Sequence, residues 1–165
     1  MFGFIQTKRL RIRPLEERDI YPLFEYRHLD EIKRYQSWDD YSIEKATELV
    51  RRNKMHPFTG YFDCGNFAVE YHGEMIGDLF IGVNVNNPQS VSIGYTFHPA
   101  YHHMGFAREA VSAMIDYLFM YYKKNEIDAY VMEGNVASMR LLISLGFQLI
   151  DYDEKYGDYF FRLLK

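Results

Sequence analysis

Apolar residues along the chain change period several times, and each change marks an element. RLRIRPL (9–15) alternates charged and apolar side chains, which predicts a strand with one buried face. EERDIYPLFEYRH (16–28) switches to helical spacing through Ile20, Leu23 and Phe24, with Pro22 in the first turn, where a missing N–H costs little. Ser42 is placed to cap SIEKATELVRRN, whose Ile43, Ala46, Leu49 and Val50 form one apolar stripe. Two strand-like runs in NFAVEYHGEMIGDLFIGVNV (66–85) meet at His72-Gly73-Glu74, a hairpin pattern, and SVSIGYTF (90–97) supplies another strand after the Asn86-Asn87-Pro88 break.

From Ala107 onward, Ala110, Val111, Met114, Ile115, Leu118 and Phe119 recur at intervals of three and four, predicting a long helix that ends near Lys123, Lys124 and Asn125. IDAYVME (127–133) returns to strand character. NVASMRLLISLGF (135–147) predicts a short helix with Asn135 near its start and Gly146 just past its end, before strands at FQLID and DYFFRLLK. The order β-α-α-β-β-β-α-β-α-β-β predicts a mixed α/β domain whose central strand-helix-strand unit is a right-handed parallel crossover. No repeat, low-complexity tract or linker divides the 165 residues, so one domain over 1–165 is expected.

Composition narrows the function. The single cysteine, Cys64, has no partner for an intrachain disulfide or a thiolate cluster, and a buried or inert thiol is expected. FGFIQTKRLRIRP after Met1 lacks a long apolar run, and no stretch approaches the ~20 apolar residues that span a bilayer, so a cytoplasmic protein with no membrane partner is expected. A formal net charge of −4 argues against general nucleic-acid binding and slightly favours a cationic substrate. With 15 Tyr and 13 Phe, many aromatic rings must pack in the core or line a cleft.

HPAYHHMGFAREAV (98–111) joins a strand to the long helix. A helix start offers unsatisfied N–H groups and the positive end of the dipole, which together bind an anion such as phosphate. Gly105 removes a Cβ that would hold a diphosphate away, Ala107 keeps the next turn small, and His102 and His103 add partial positive charge. Equally, Gly105 serves any tight strand-to-helix turn, with the histidines facing solvent. A metal site at His98, His102 and His103 is the weaker alternative, since Pro99 breaks the helix that would align them. No G-x-S-x-G is present for a serine hydrolase.

GYTFHPAYHHMGFAREAV resembles the motif of the GNAT acetyltransferase superfamily in which a strand, Q/R-x-x-G-x-G/A and a helix receive the diphosphate of acetyl-coenzyme A. The pattern falls on His102, His103, Met104, Gly105, Phe106 and Ala107, with His102 where Gln or Arg is usual. NVASMRLLISLGF resembles the following motif through Asn135, Ser138, Gly146 and Phe147, and TKRLRIRPLEERD is similar to the opening of the Rim-type, ribosomal-protein N-acetyltransferase-like branch. The similarity is weakest from about residue 54 to 66.

The resemblance implies the acyl-CoA N-acyltransferase fold: one α/β domain with a mixed, mostly antiparallel, splayed seven-stranded sheet and about four helices. It implies an N-acetyltransferase with acetyl-CoA as donor and a primary amine as acceptor, either a protein N-terminus or a small amine such as a polyamine, amino acid or drug. Homodimers are frequent among such proteins. The cofactor residues implied are Tyr95, Phe97, the stretch His102, His103, Met104, Gly105, Phe106, Ala107 and Arg108, and then Asn135 and Ser138. Asn135 would bond the pantetheine amide, and it also suits a plain N-cap. The tyrosine that many members use as general acid is here Leu142; Rim-type enzymes commonly lack it and carry a serine at the position of Ser138, so the resemblance implies Ser138 as the acid. Ser92 stands where relatives often carry a glutamate base, which leaves the base unassigned; Glu133, near the end of the strand leading to Asn135, is placed either to supply it through water or as an ordinary exposed strand residue. Trp38 and Tyr41, around Asp39 and Asp40, either receive the acceptor's ammonium or form an acidic loop with one anchoring tryptophan. A non-catalytic acyl-CoA-binding sensor remains the alternative class.

Overall fold

A computed structural model describes residues 3–165. Its strands are β1 (Ile5–Gln6), β2 (Leu10–Pro14), β3 (Cys64–Tyr71), β4 (Glu74–Asn84), β5 (Asn87–Phe97), β6 (Glu126–Met132), β7 (Gln148–Asp153) and β8 (Asp158–Leu164). Its helices are α1 (Ile20–Arg27), α2 (Asp30–Lys33), α3 (Ile43–Met55), α4 (Phe106–Met120) and α5 (Val136–Ser144). The strands form one eight-stranded sheet in the order β1-β2-β3-β4-β5-β6-β8-β7. Seven of them were predicted. The eighth, β1, has only two residues, too few to show a period, and is defined by pairing Ile5 with Ile12. The four-residue α2 escaped prediction for the same reason. Long helix α4 stops at Met120, ahead of the predicted end, and Lys123 takes a left-handed turn (φ 55°).

Alternation places the core. Leu10, Ile12, Val69, Leu79, Ile81, Val91 and Ile93 face α4, whose stripe of Phe106, Ala110, Val111, Met114, Ile115 and Leu118 is buried against them. Leu23, Tyr26, Ala46, Val50 and Ala68 form a second cluster where α1 and α3 cover the sheet's other face. Ser42 caps α3 as predicted, its hydroxyl accepting from Lys45 N at 3.2 Å. Cys64 is exposed at the first residue of β3, which corrects the expectation of a buried thiol: the strand enters the core only at Gly65. Among the described residues no helix is long and apolar enough to cross a membrane.

Neighbouring strands pair antiparallel except β5 and β6, which are parallel and linked through α4. That parallel pairing is confined to Ser90 with Glu126, Val91 with Ile127, and Ser92 with Asp128. Beyond it each strand stays with its outer neighbour. Tyr95 and Phe97 continue to pair with Leu79 and Gly77, while Val131 and Met132 continue with Tyr159 and Asp158. The sheet therefore opens into a V at its centre.

One buried charge network fixes the segment beside this opening. Asp78, 1% exposed, accepts hydrogen bonds from the Tyr26 hydroxyl at 2.5 Å, Arg27 Nη2 at 2.5 Å and Asn66 Nδ2 at 3.1 Å. Desolvation works against both charges, and the geometry compensates only while every partner is present. Asp78→Ala is therefore expected to cost ~3–5 kcal/mol in urea unfolding, because Arg27 is left buried and unpaired. Arg51→Ala, which breaks an exposed pair with Glu48, should cost no more than ~1 kcal/mol.

Candidate functional site

The V is lined as a cavity of about 570 Å³, walled by β5, the turn before α4, the first turns of α4 and α5, and α2 with the residues after it. His98 N donates to Ile76 O in β4, so strand alternation turns the N–H and C=O of Tyr95 and Phe97 toward the opposite edge, into the V. Both residues line the cavity, where the sequence placed them.

The turn is built by local geometry. His98 caps a 3-10 turn over Pro99–Tyr101, its Nδ1 accepting from Ala100 N at 3.0 Å, and left-handed conformations at His103 (φ 61°) and Gly105 (φ 79°) then coil the chain into α4. The first intrahelical bond runs from Glu109 N to Gly105 O at 3.1 Å, so the N–H groups of Phe106, Ala107 and Arg108 precede the helix ladder. His102 has a mechanical task in addition to any charge: its Nε2 meets the Phe97 carbonyl at 2.8 Å, locking the turn to the end of β5. His98 and His102 are thus each engaged by the backbone, and no group of three or more His, Cys, Asp or Glu side chains suited to a metal occurs among the described residues.

His103, Gly105, Phe106, Ala107 and Arg108 also line the cavity. Met104 contributes backbone instead, its side chain being 46% exposed while its carbonyl accepts from Arg9 Nη1 at 2.9 Å. Arg9 went unrecognised in the sequence. It stacks 4.3 Å from the Phe106 ring centroid and pairs with Glu109 at 2.7 Å, clamping the turn from outside. The Glu109 carboxyl is held below its ordinary range: burial pushes it up, but hydrogen bonds from Thr7 and Arg9 outweigh that. Nothing near Arg9 in the chain marks it, because its partner lies 100 residues away.

On the opposite wall, Asn135 Oδ1 accepts from Ser138 N at 3.3 Å, capping α5 and leaving its amide NH₂ as a donor on the cavity wall. Ser138 Oγ lies 2.6 Å from the Tyr95 hydroxyl. Burial pushes the Tyr95 phenol up to about 12, and its bond to Ser138 pulls the other way. Arg108 reaches the Ser144 hydroxyl, tying the start of α4 to the end of α5. Leu142 is fully buried in the core and offers no proton.

Three expected site residues lie elsewhere. Glu133 is exposed, accepts from the Tyr152 hydroxyl at 3.2 Å and does not line the cavity, so it is not placed to act as base there. Trp38 and Tyr41 are also away from the cavity. They stack on Arg27 at 4.5 and 5.2 Å, and Trp38 Nε1 donates to Arg27 O at 3.0 Å, a scaffold role. Their aromatic faces are already occupied by a cation of the protein's own. The cavity's remaining wall is Glu31, Ile32, Arg34, Tyr35 and Gln36, with Tyr35 close over Gly134. Within the lining, Glu31 is the one carboxylate among the described residues.

A sheet that opens between two parallel strands, with a helix start at the opening, defines an acyl-CoA N-acyltransferase architecture. A family model described as an acetyltransferase (GNAT) domain matches residues 9–148, and the chain belongs to that family of N-acetyltransferase enzymes. It is 29% identical to the uncharacterized N-acetyltransferase p20 of Bacillus licheniformis over 98% of this chain and 96% of that one. A crystal structure of a GNAT-family acetyltransferase from Bacillus anthracis superposes with a TM-score of 0.86 at 26% identity, covering 98% of both chains. Two more distant structures share the fold: RimL, a ribosomal alpha-N-protein acetyltransferase with coenzyme A (TM-score 0.85, 16% identity, 98% of both chains), and a spermidine N-acetyltransferase from Vibrio cholerae with coenzyme A and spermine (0.81, 21%, 96% of both).

Placing Trp38 in the scaffold has a measurable consequence. Trp38→Phe is expected to lose ~1–2 kcal/mol of stability, from the indole's hydrogen bond and its stacking on Arg27, while the KM for amine stays within about twofold. Weakened amine binding at full stability would return the indole to the acceptor site.

Proposed function

We propose that this enzyme transfers the acetyl group of acetyl-CoA to a primary amine, the N-terminus of a protein or a small amine such as a polyamine. The observation that carries the reading is the V itself: the backbone groups of Tyr95 and the N–H of Phe97, beyond the β5–β6 pairing along one wall, with the free N–H groups of Phe106 to Arg108 at one end. These residues fit a coenzyme tail. The α4 start and Arg108 take the diphosphate, Gly105 keeps the approach open, and the exposed edge of β5 accepts the pantetheine arm as it would an added strand. Asn135 supplies a donor from the other wall. The donor contributes an activated thioester, and the protein contributes position, worth far more than a single hydrogen bond when two reactants are held together.

The acceptor enters past α2. Glu31 draws an ammonium to the mouth, and Tyr35 and Gln36 offer an aromatic face and an amide to whatever bears it. An amine attacks only when neutral, so its proton passes to water in the open mouth before the new bond forms. RimL and the spermidine enzyme, which share this fold, act by name on a protein and on a polyamine.

The test is thiol release from acetyl-CoA with a panel of short peptides, polyamines and amino acids, alongside calorimetric binding of coenzyme A. Turnover with at least one amine is expected. Tight coenzyme binding with no release would instead establish a non-catalytic sensor. Gly105→Asp, which sets a carboxylate at the anion site, is expected to weaken coenzyme A binding by roughly 100-fold. Unchanged affinity would detach the turn from the coenzyme.

A further inference from the structure

We propose that the phenol of Tyr95, rather than the hydroxyl of Ser138, gives the proton to the departing coenzyme A thiolate, with Ser138 orienting that phenol and passing a proton back to it. The inference rests on the acetyl-transfer reading above and deepens its chemistry.

Two features of the structure support it. Tyr95 projects from β5 and Ser138 from the first turn of α5, so a 2.6 Å contact between their hydroxyls spans the V after strand pairing has ended at Ser92. Both residues line the cavity, so any thioester held between the walls meets this pair. On α5 the side chain of Leu142 is fully buried and carries no proton; of the cavity's tyrosines, Tyr35, Tyr95 and Tyr101, it is Tyr95 whose hydroxyl meets Ser138 across the V.

Acid strength chooses between the two hydroxyls. A phenol ionises near pH 10 when unperturbed and is a far stronger acid than an aliphatic alcohol, so the proton leaves Tyr95 more readily than Ser138. Burial raises the Tyr95 phenol to about 12, which keeps it protonated through the working pH range. As the carbon–sulfur bond breaks, its electron pair stays on sulfur. The Tyr95 proton moves to that sulfur, giving free coenzyme A thiol. The tyrosinate regains its proton from water through Ser138, whose hydroxyl accepts one proton as it passes its own on, and that water has already received the proton lost by the amine. Atoms and charge balance with no further reactant.

The experiment compares wild type, Tyr95→Phe, Ser138→Ala and enzyme carrying a ring-fluorinated tyrosine at 95, a phenol of nearly the same shape but greater acidity. Tyr95→Phe is expected to lower kcat by roughly 100-fold or more, while the coenzyme A Kd and the acetyl-CoA KM stay within about threefold. Ser138→Ala, which keeps the phenol, should lose roughly tenfold, less than Tyr95→Phe. A general acid acts only while protonated, so the fluorinated enzyme should lose kcat at a lower pH on the alkaline side than wild type. Glu31, Arg34, Tyr35, Tyr101, His102, His103 and Arg108 share the cavity, and because fluorination is confined to position 95 a displaced limb belongs to Tyr95. A kcat within threefold of wild type in Tyr95→Phe, coenzyme affinity falling in step with rate, or an unmoved alkaline limb would each overturn the proposal and leave acetyl transfer standing. No thiol release by wild type with any amine would remove the acetyl-transfer reading, and this assignment with it.

Discussion

Three pairs of residues hold β5 to β6, and the site exists because there is no fourth. A strand that keeps one partner and loses the other retains its shape while leaving a row of peptide groups unpaired. Such groups demand partners, from water or from a ligand. Here the outer strands supply the rigidity. β4 carries β5 as far as Phe97, and β8 carries β6 as far as Met132, so the two halves diverge without either losing its own ladder. α4 packs its apolar stripe into the core, and its unsatisfied N-terminus, reached through the turn after Phe97, lines the V.

What remains is to stop the walls from relaxing. Arg9 grips the turn through Met104 and Glu109, His102 fastens it to Phe97, and Arg108 links the two helix ends. The rim around α2 depends on a different anchor. Arg27 is paired with Asp78 inside the protein and covered by Trp38 and Tyr41, so the chain on either side of α2 is fixed at both ends while Glu31 to Gln36 form the rim. Buried Lys124 has a comparable role at the far end of α4, its ammonium bonded to Gly60 O and Pro88 O at 2.7 Å each, with burial lowering its pKa.

Elements long enough to show a period were legible in the sequence. The stripes of α3 and α4, the hairpin at His72-Gly73 and the caps Ser42 and Asn135 all belong to local physics, in which a few neighbouring residues decide the outcome. The turn at Gly105 was legible because a glycine forced left-handed ahead of a helix leaves a local mark. Contacts across long separations were not. Arg9 with Glu109, Tyr95 with Ser138 and Arg27 with Asp78 join residues with no shared pattern. Trp38 and Tyr41 misled for a related reason: aromatic rings beside carboxylates suit a cation, and the sequence did not reveal that Arg27 of the same chain would fill that place. Glu133 misled because β6 stops at Met132: the residue lies in the following turn, where its carboxylate accepts from Tyr152.

Recognition through the exposed edge of a strand has one more effect. Peptide nitrogens and oxygens are the same whatever side chain they carry, so drift at most positions along that edge leaves its hydrogen-bonding face unaltered. That gives a physical basis for a shape shared at a TM-score of 0.85 with only 16% identity. The rim from Glu31 to Gln36 is made of side chains, and there each replacement rewrites what is admitted. Such a scaffold can keep its backbone-lined wall while its rim varies.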